Sequence, residues 1–383
     1  MAGREKEKKS RGLLFIIFII LSLVSYIVTA YIFHTSNAPI ATQYSADWFD
    51  EYSNAKPPPQ IPISPPQAVN ITPEYLFQIQ GKVPNLVWRL DVLDVYIEGY
   101  GWSKSAINRI ETYTGEEYGE TTFAVRTSLF QVEPPGVILP LITLWDNIEG
   151  ISCSDFSPYS STIENVNIST NISLPDEALY LTVTSEKSGT IGISYNVHYT
   201  PRDLIKISKN SSTVGETKKA VANNTDLQNY VRLPDGYLEN YSQIKAILDN
   251  IRLNENASVY EQVKKVINYV ITNYDIKPQS TGGDPVAEFI SNGGGSILGF
   301  VNTSAVLLRA LGIPCRVVAG FAGGVYDPDT GYTLIRLEDA YMWIEVWDPK
   351  SHWVPYEVLP LPSFAENIVP ILQVEVNAPH IME

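Results

Sequence analysis

The chain has 383 residues, with 27 Lys and Arg against 42 Asp and Glu and a formal net charge of −15. That balance argues against nucleic acid as a partner, because phosphate contacts need a basic patch and no Lys/Arg cluster follows the first dozen residues. No CxxC, HExxH or EF-hand-like run is present, so no metal and no cofactor is expected.

Residues 1–12 are basic (Arg4, Lys6, Lys8, Lys9, Arg11) and residues 13–33 carry no charge. Twenty-one helical residues at 1.5 Å each span about 30 Å, the hydrocarbon thickness of a bilayer. The expectation is one transmembrane helix at 13–33, with the N-terminus cytoplasmic by the positive-inside tendency and the rest extracellular at the cell membrane. A cleaved signal peptide is the competing reading, but its apolar region would be too long and its cleavage signal poor. Residues 34–67 include KPPPQIPISPP (56–66), a semi-rigid extended tether. Asn-x-Ser/Thr acceptors for glycans stand at Asn70, Asn167, Asn171, Asn210, Asn223, Asn240 and Asn256, all beyond the anchor. Asn302 completes the set, but it falls in a core helix and is expected to stay unmodified.

Residues 68–200 read as a β-rich domain, with β-branched or alternating runs at 83–96, 121–133, 136–145, 178–185 and 190–199. Residues 201–236 are polar and read as a linker. A domain at 237–360 then opens with helices. Ile244, Ile247, Leu248 and Ile251 stand at i, i+3, i+4 and i+7, and Ser258 with Glu261 forms a capping box for the next helix. A helix is expected at 301–312, followed by strands at 315–321, 332–337, 341–347 and 353–357. Together these predict an α+β domain, a helix packed on an antiparallel sheet. The tail, 361–383, has room for one more strand.

The stretch GGGSILGF–VNTSAVLLRALG–IPCRVVAGF (293–321), then DAYMWIEVWD (339–348) and SHWVPYEV (351–358), resembles the transglutaminase-like superfamily of papain-like cysteine enzymes. Membrane-anchored bacterial and archaeal members are the most similar. The motif LRALGIP (308–314) carries most of the likeness, and WRLDVLDVYIEGYGWSKS (88–105) resembles the segment ahead of the core in large membrane-bound relatives. The family's cysteine, histidine and aspartate then fall on Ile297, Tyr341 and Glu357. A thiolate nucleophile, an imidazole base and an orienting carboxylate are required together. Isoleucine cannot attack a carbonyl, and tyrosine, with a pKa near ~10, is a poor base at neutral pH.

The resemblance therefore implies a degenerate triad and a non-catalytic pseudoenzyme that binds a protein, a peptide or an envelope component. Weak substitutes are Ser296, beside Ile297, and His352, the one histidine in the matching region. Thr303 and Ser304 lie a turn into the helix. Glu345 matches a residue common in the family strand and reads as structural. Cys315, on a strand entering the core, and Cys153 read as inert thiols, with a disulfide between them as the alternative. An active hydrolase or amide transferase with a non-standard nucleophile is the second functional reading. A carbohydrate-binding surface protein, stacking sugars on aromatics of residues 68–200, is the third.

Overall fold

The computed structural model describes residues 75–83, 86–104, 109–110, 121–144, 156–163, 166–174, 178–199, 204–277 and 283–359. The chain divides into two units, 1–44 and 45–383, and every described residue belongs to the second. The apolar run at 13–33, the tether, Asn70, Cys153 and the tail lie outside the described residues. Among the described residues no helix is long and apolar enough to cross a membrane.

The strands that come first are β1 (Phe77–Gln80), β2 (Val87–Leu93), β3 (Val95–Ile97), β4 (Gly101–Ser103), β5 (Arg109–Ile110), β6 (Thr121–Thr127) and β7 (Phe130–Val132). They continue with β8 (Gly136–Leu141), β9 (Thr143–Leu144), β10 (Ser157–Ser161), β11 (Asn167–Leu174), β12 (Ala178–Thr184) and β13 (Gly189–Tyr199). Helices α1 (Leu204–Lys209), α2 (Val214–Ala222), α3 (Thr225–Asn229), α4 (Tyr237–Asn240), α5 (Ser242–Ile251) and α6 (Val259–Asn273) follow. The remainder runs β14 (Asp275–Ile276), α7 (Pro285–Ser291), β15 (Gly294–Gly295), α8 (Ile297–Ala310), β16 (Cys315–Ala322), β17 (Val325–Asp327) and β18 (Tyr332–Ile335). The last two strands are β19 (Ala340–Asp348) and β20 (His352–Tyr356).

The helices form where the residue pattern predicts. The i, i+3, i+4, i+7 stripe of α5 is buried, each aliphatic side chain contributing roughly 1.5–3 kcal/mol. The capping box of α6 closes reciprocally: the Ser258 hydroxyl accepts from the Glu261 amide, and the Glu261 carboxylate accepts from the Ser258 amide. Helix α8 is buried nearly all round, which suits a central helix that packs on α6, α7, β16 and β19. It starts at Ile297, four residues before the expected start, with Ser296 as an extended N-cap residue directly after β15.

Two sheets share strands from both halves of the chain. The central antiparallel sheet has the order β20-β19-β16-β2-β9. The other, β10-β13-β6-β1-β18-β17 with β7 also on β13, takes in β18. The 332–337 strand was expected beside β16 and β19; instead β18 pairs β1 and β17, with Phe77 opposite Ile335. Residues 201–236, expected as a linker, hold α1, α2 and α3. Their apolar residues Val221, Leu227 and Tyr230 gather against Trp347 and Trp353 of the β19–β20 hairpin, and the Tyr230 and Trp353 rings meet edge-on at 4.7 Å.

Candidate functional site

The loop into α8 is shaped by glycine. Gly294 has φ +137, and a Cβ there would stand 2.0 Å from the Asp275 carbonyl oxygen, so only glycine permits the β14–β15 pairing. Ser296 occupies the N-cap position, half-buried, without a capping hydrogen bond from its side chain. Ile297 begins the first turn and is 5 % exposed.

Tyr341 lies near the start of β19, opposite Gly320 of β16, 4 % exposed, its ring stacked on Trp343 at 6.1 Å. Glu357 is the residue after β20. The last ladder pair is Ile344–Tyr356, so the register carried one step further sets Glu357 opposite Trp343. The structure thus brings Tyr341 and Glu357 to the same end of the β19–β20 hairpin, and it packs α8, headed by Ile297, on β16 and β19. Burial pushes the Glu357 carboxyl up to about 7, although Oε1 accepts hydrogen bonds from the Val358 and Leu359 amides, both 2.8 Å.

Ser296 stands beside Ile297, and the other substitutes lie elsewhere. His352 is exposed at the far turn of the hairpin, with φ 57, and pairs with Asp348. Asp348 is seven residues along β19 from Tyr341, roughly 23 Å at ~3.3 Å per residue. No proton passes directly over that distance. Thr303 and Ser304 are fully buried inside α8 and out of reach of a substrate. Cys315 is a free, fully buried thiol on β16 whose pKa burial pushes up to about 12, an inert group.

Beside these positions stands a buried ion network. The Glu345 carboxylate accepts from Arg89 Nη2 at 2.5 Å, from Arg316 Nε at 2.8 Å and Nη2 at 2.7 Å, and from the Trp343 indole at 3.4 Å. Both arginines and Glu345 are 0 % exposed. Burial alone would raise the Glu345 pKa, and the two guanidiniums overcome it and hold the carboxyl below its ordinary range. Glu345 is therefore structural, as its place in the strand implied. Arg316, which also covers the Trp353 ring at 4.0 Å, carried no distinguishing signal beyond the IPCRVV run.

A second buried carboxylate, Asp284, caps α7 through the Val286 and Ala287 amides. It also accepts from the Tyr237 hydroxyl at 2.7 Å, the Tyr96 hydroxyl at 2.9 Å and the Gly99 amide at 3.2 Å. Burial and the adjacent carboxylate push both tyrosines well above their ordinary range, Tyr96 directly and Tyr237 together with Tyr96 itself. An open pocket of about 360 Å³ lies at the other end of α8, bordered by Val231, Pro234, Tyr237, Glu239, Arg309 and Ala310. Twelve residues of helix, about 18 Å, separate it from Ile297. Among the described residues no group of three or more His, Cys, Asp or Glu is placed to hold a metal ion. Of the aromatics in residues 68–200, Trp88, Tyr96, Trp102, Phe123 and Tyr195 are buried, and Tyr100 is exposed.

A central helix packed on an antiparallel sheet, with the second position on one strand and the third just after its neighbour, is the papain-like arrangement. Residues 245–358 match the model of the transglutaminase-like superfamily, and the chain carries a transglutaminase-like domain. Protein-glutamine gamma-glutamyltransferase of Pseudomonas aeruginosa is 39 % identical over 92 residues, 23 % of this chain and 14 % of that protein. Uncharacterized protein YebA of Bacillus subtilis is 23 % identical over 302 residues, 74 % of this chain and 38 % of that protein. The periplasmic domain of TgpA from Pseudomonas aeruginosa, a solved structure, superposes with TM-score 0.47 at 20 % identity, covering 75 % of this chain and 88 % of that one. The chain spans less than half the length of either curated relative.

Proposed function

We propose that this chain is a membrane-anchored, extracellular pseudoenzyme whose transglutaminase-like domain holds an extended protein or peptide, or an envelope component, without turning it over. One observation carries the reading: buried Ile297 and Tyr341 occupy the positions that the family resemblance gives to cysteine and histidine. Neither side chain supplies a nucleophile or a base at neutral pH. His352 and Cys315 do not restore them, one by distance and the other by burial. An apolar side chain and an aromatic ring in place of a thiol and an imidazole suit recognition of a side chain rather than attack on a carbonyl. The anchor at 13–33 and an exported remainder complete the proposal. The sequons at Asn167, Asn210, Asn223, Asn240 and Asn256 are exposed, which suits glycan transfer, whereas Asn302 is 2 % exposed.

A second reading, an amide transferase with Ser296 as nucleophile, is favoured by the name of the Pseudomonas relative. Ammonia release and amine incorporation with glutamine peptides separate the two. Absence of turnover in a folded chain supports the pseudoenzyme, whereas turnover abolished by Ser296→Ala establishes the transferase. Resistance of the chain to alkaline extraction, with protease access to its C-terminal part on intact cells, tests the anchor and its orientation.

A further inference from the structure

The geometry points to residues 87–104 as a positioning segment for the cleft, a clamp in cis that holds the elements bearing the Ile297 and Tyr341 positions. Three contacts make it, each joining a side chain or amide of this segment to a different part of the core.

The first runs to the Ile297 loop. The Tyr96 hydroxyl and the Gly99 amide both bind Asp284 Oδ2, at 2.9 and 3.2 Å. Asp284 starts α7, and Phe289 of α7 buttresses the loop: its ring meets Phe300 edge-on at 4.9 Å. A Cβ on Gly299 would lie 2.3 Å from Phe289 Cδ2, so the ring sits against the first turn of α8 as closely as glycine allows. The second contact runs to the Tyr341 strand: Arg89 binds Glu345 of β19, whose other oxygen Arg316 of β16 holds. The third runs to the far end of α8. Trp102 lies against the Arg309 guanidinium at 4.4 Å, and Arg309 Nη2 donates to the Asp94 carbonyl at 2.7 Å.

Each contact joins residues more than 180 apart in the chain, and all but the half-buried Gly99–Asp284 bond are buried. Capping α7 needs only the Val286 and Ala287 amides on Oδ1. The Tyr96 and Gly99 bonds to Oδ2 are additional to that cap, and they tie the helix to the upstream segment. The inference concerns how the cleft is held, and it stands whether or not the cleft turns anything over.

Amide hydrogen exchange on the full chain in detergent micelles tests it. Tyr96→Phe keeps the ring packed against Trp102 and Tyr237 and removes only the hydroxyl. Asp284→Ser keeps a good N-cap and removes the bonds from Tyr96, Gly99 and Tyr237 together. Tyr96→Phe is expected to speed exchange across residues 293–300 about fivefold, the effect of one lost hydrogen bond, and Asp284→Ser by more, with β13 and α6 unchanged in both. Tyr159→Phe, which loses a 2.8 Å bond to the Thr127 carbonyl in the other sheet, is expected to leave residues 293–300 at the parent rate. Faster exchange spread evenly over the molecule overturns the positioning role, and so does unchanged exchange at 293–300. If Asp284→Ser does not fold, Tyr96→Phe alone decides.

Discussion

Glu357 shows what burial does to a single carboxyl. The group is buried, partly offset by two amide donors, and its pKa rises to about 7. An exposed glutamate titrates near ~4.3. Between roughly pH 4.5 and 7 the folded chain keeps a proton that the unfolded chain releases, so stability falls as pH rises through that window. Asp339, pushed up to about 6 by burial, acts in the same direction. Glu357→Gln is expected to flatten the decline in melting temperature between pH 5 and 7 and to melt higher than the parent at pH 8. An unchanged pH profile refutes the assignment.

The helices and strands differ in how much of them the residues announce. Periodicity and the capping box are local signals, and α5, α6 and most of the strands of the core follow them; Ser258→Ala is expected to cost about 1 kcal/mol in denaturant unfolding. The polar stretch at 201–236 hid three helices because their anchor is non-local: Tyr230 and its neighbours find Trp347 and Trp353 more than 100 residues away. Strand β10, SPYSS, lacks the aliphatic alternation that marks a strand, and in β11, NISTNISL, the alternation rests on Ile168, Ile172 and Leu174 amid Ser, Thr and Asn. Strand β18 reads as a core strand, yet which sheet it joins depends on β1, and no local pattern encodes that pairing. The family pattern named Ile297, Tyr341 and Glu357, and the structure sets Tyr341 and Glu357 at the same end of the β19–β20 hairpin. The partners of Glu345 were not legible, because Arg89 reaches it from 256 residues away. Glu345→Gln leaves two buried guanidiniums without their counter-charge and is expected to destabilise the chain by about 3–5 kcal/mol, measured by urea unfolding. A loss below 1 kcal/mol would show that the network is not held as described.

The molecule as a whole is more interwoven than a β-rich half followed by a catalytic-type half. Strand β2 runs between β16 and β9 in the central sheet, buried along its whole length, and β18 completes a sheet begun by β1. Residues 245–358 alone would expose one long side of β16 and leave Arg316 and Glu345 without Arg89. That segment expressed alone is expected to lack cooperative thermal unfolding, whereas residues 75–359 together retain it; a sharp transition in the shorter segment contradicts the shared-sheet account. On the function proposed above, this papain-like scaffold holds its ligand without chemistry. The most direct test is ammonia release and amine incorporation by the purified full chain with glutamine-containing peptides. The account predicts a cooperatively folded protein with no turnover above background at any pH from 5 to 9. Turnover that survives purification and vanishes in Ser296→Ala would contradict it.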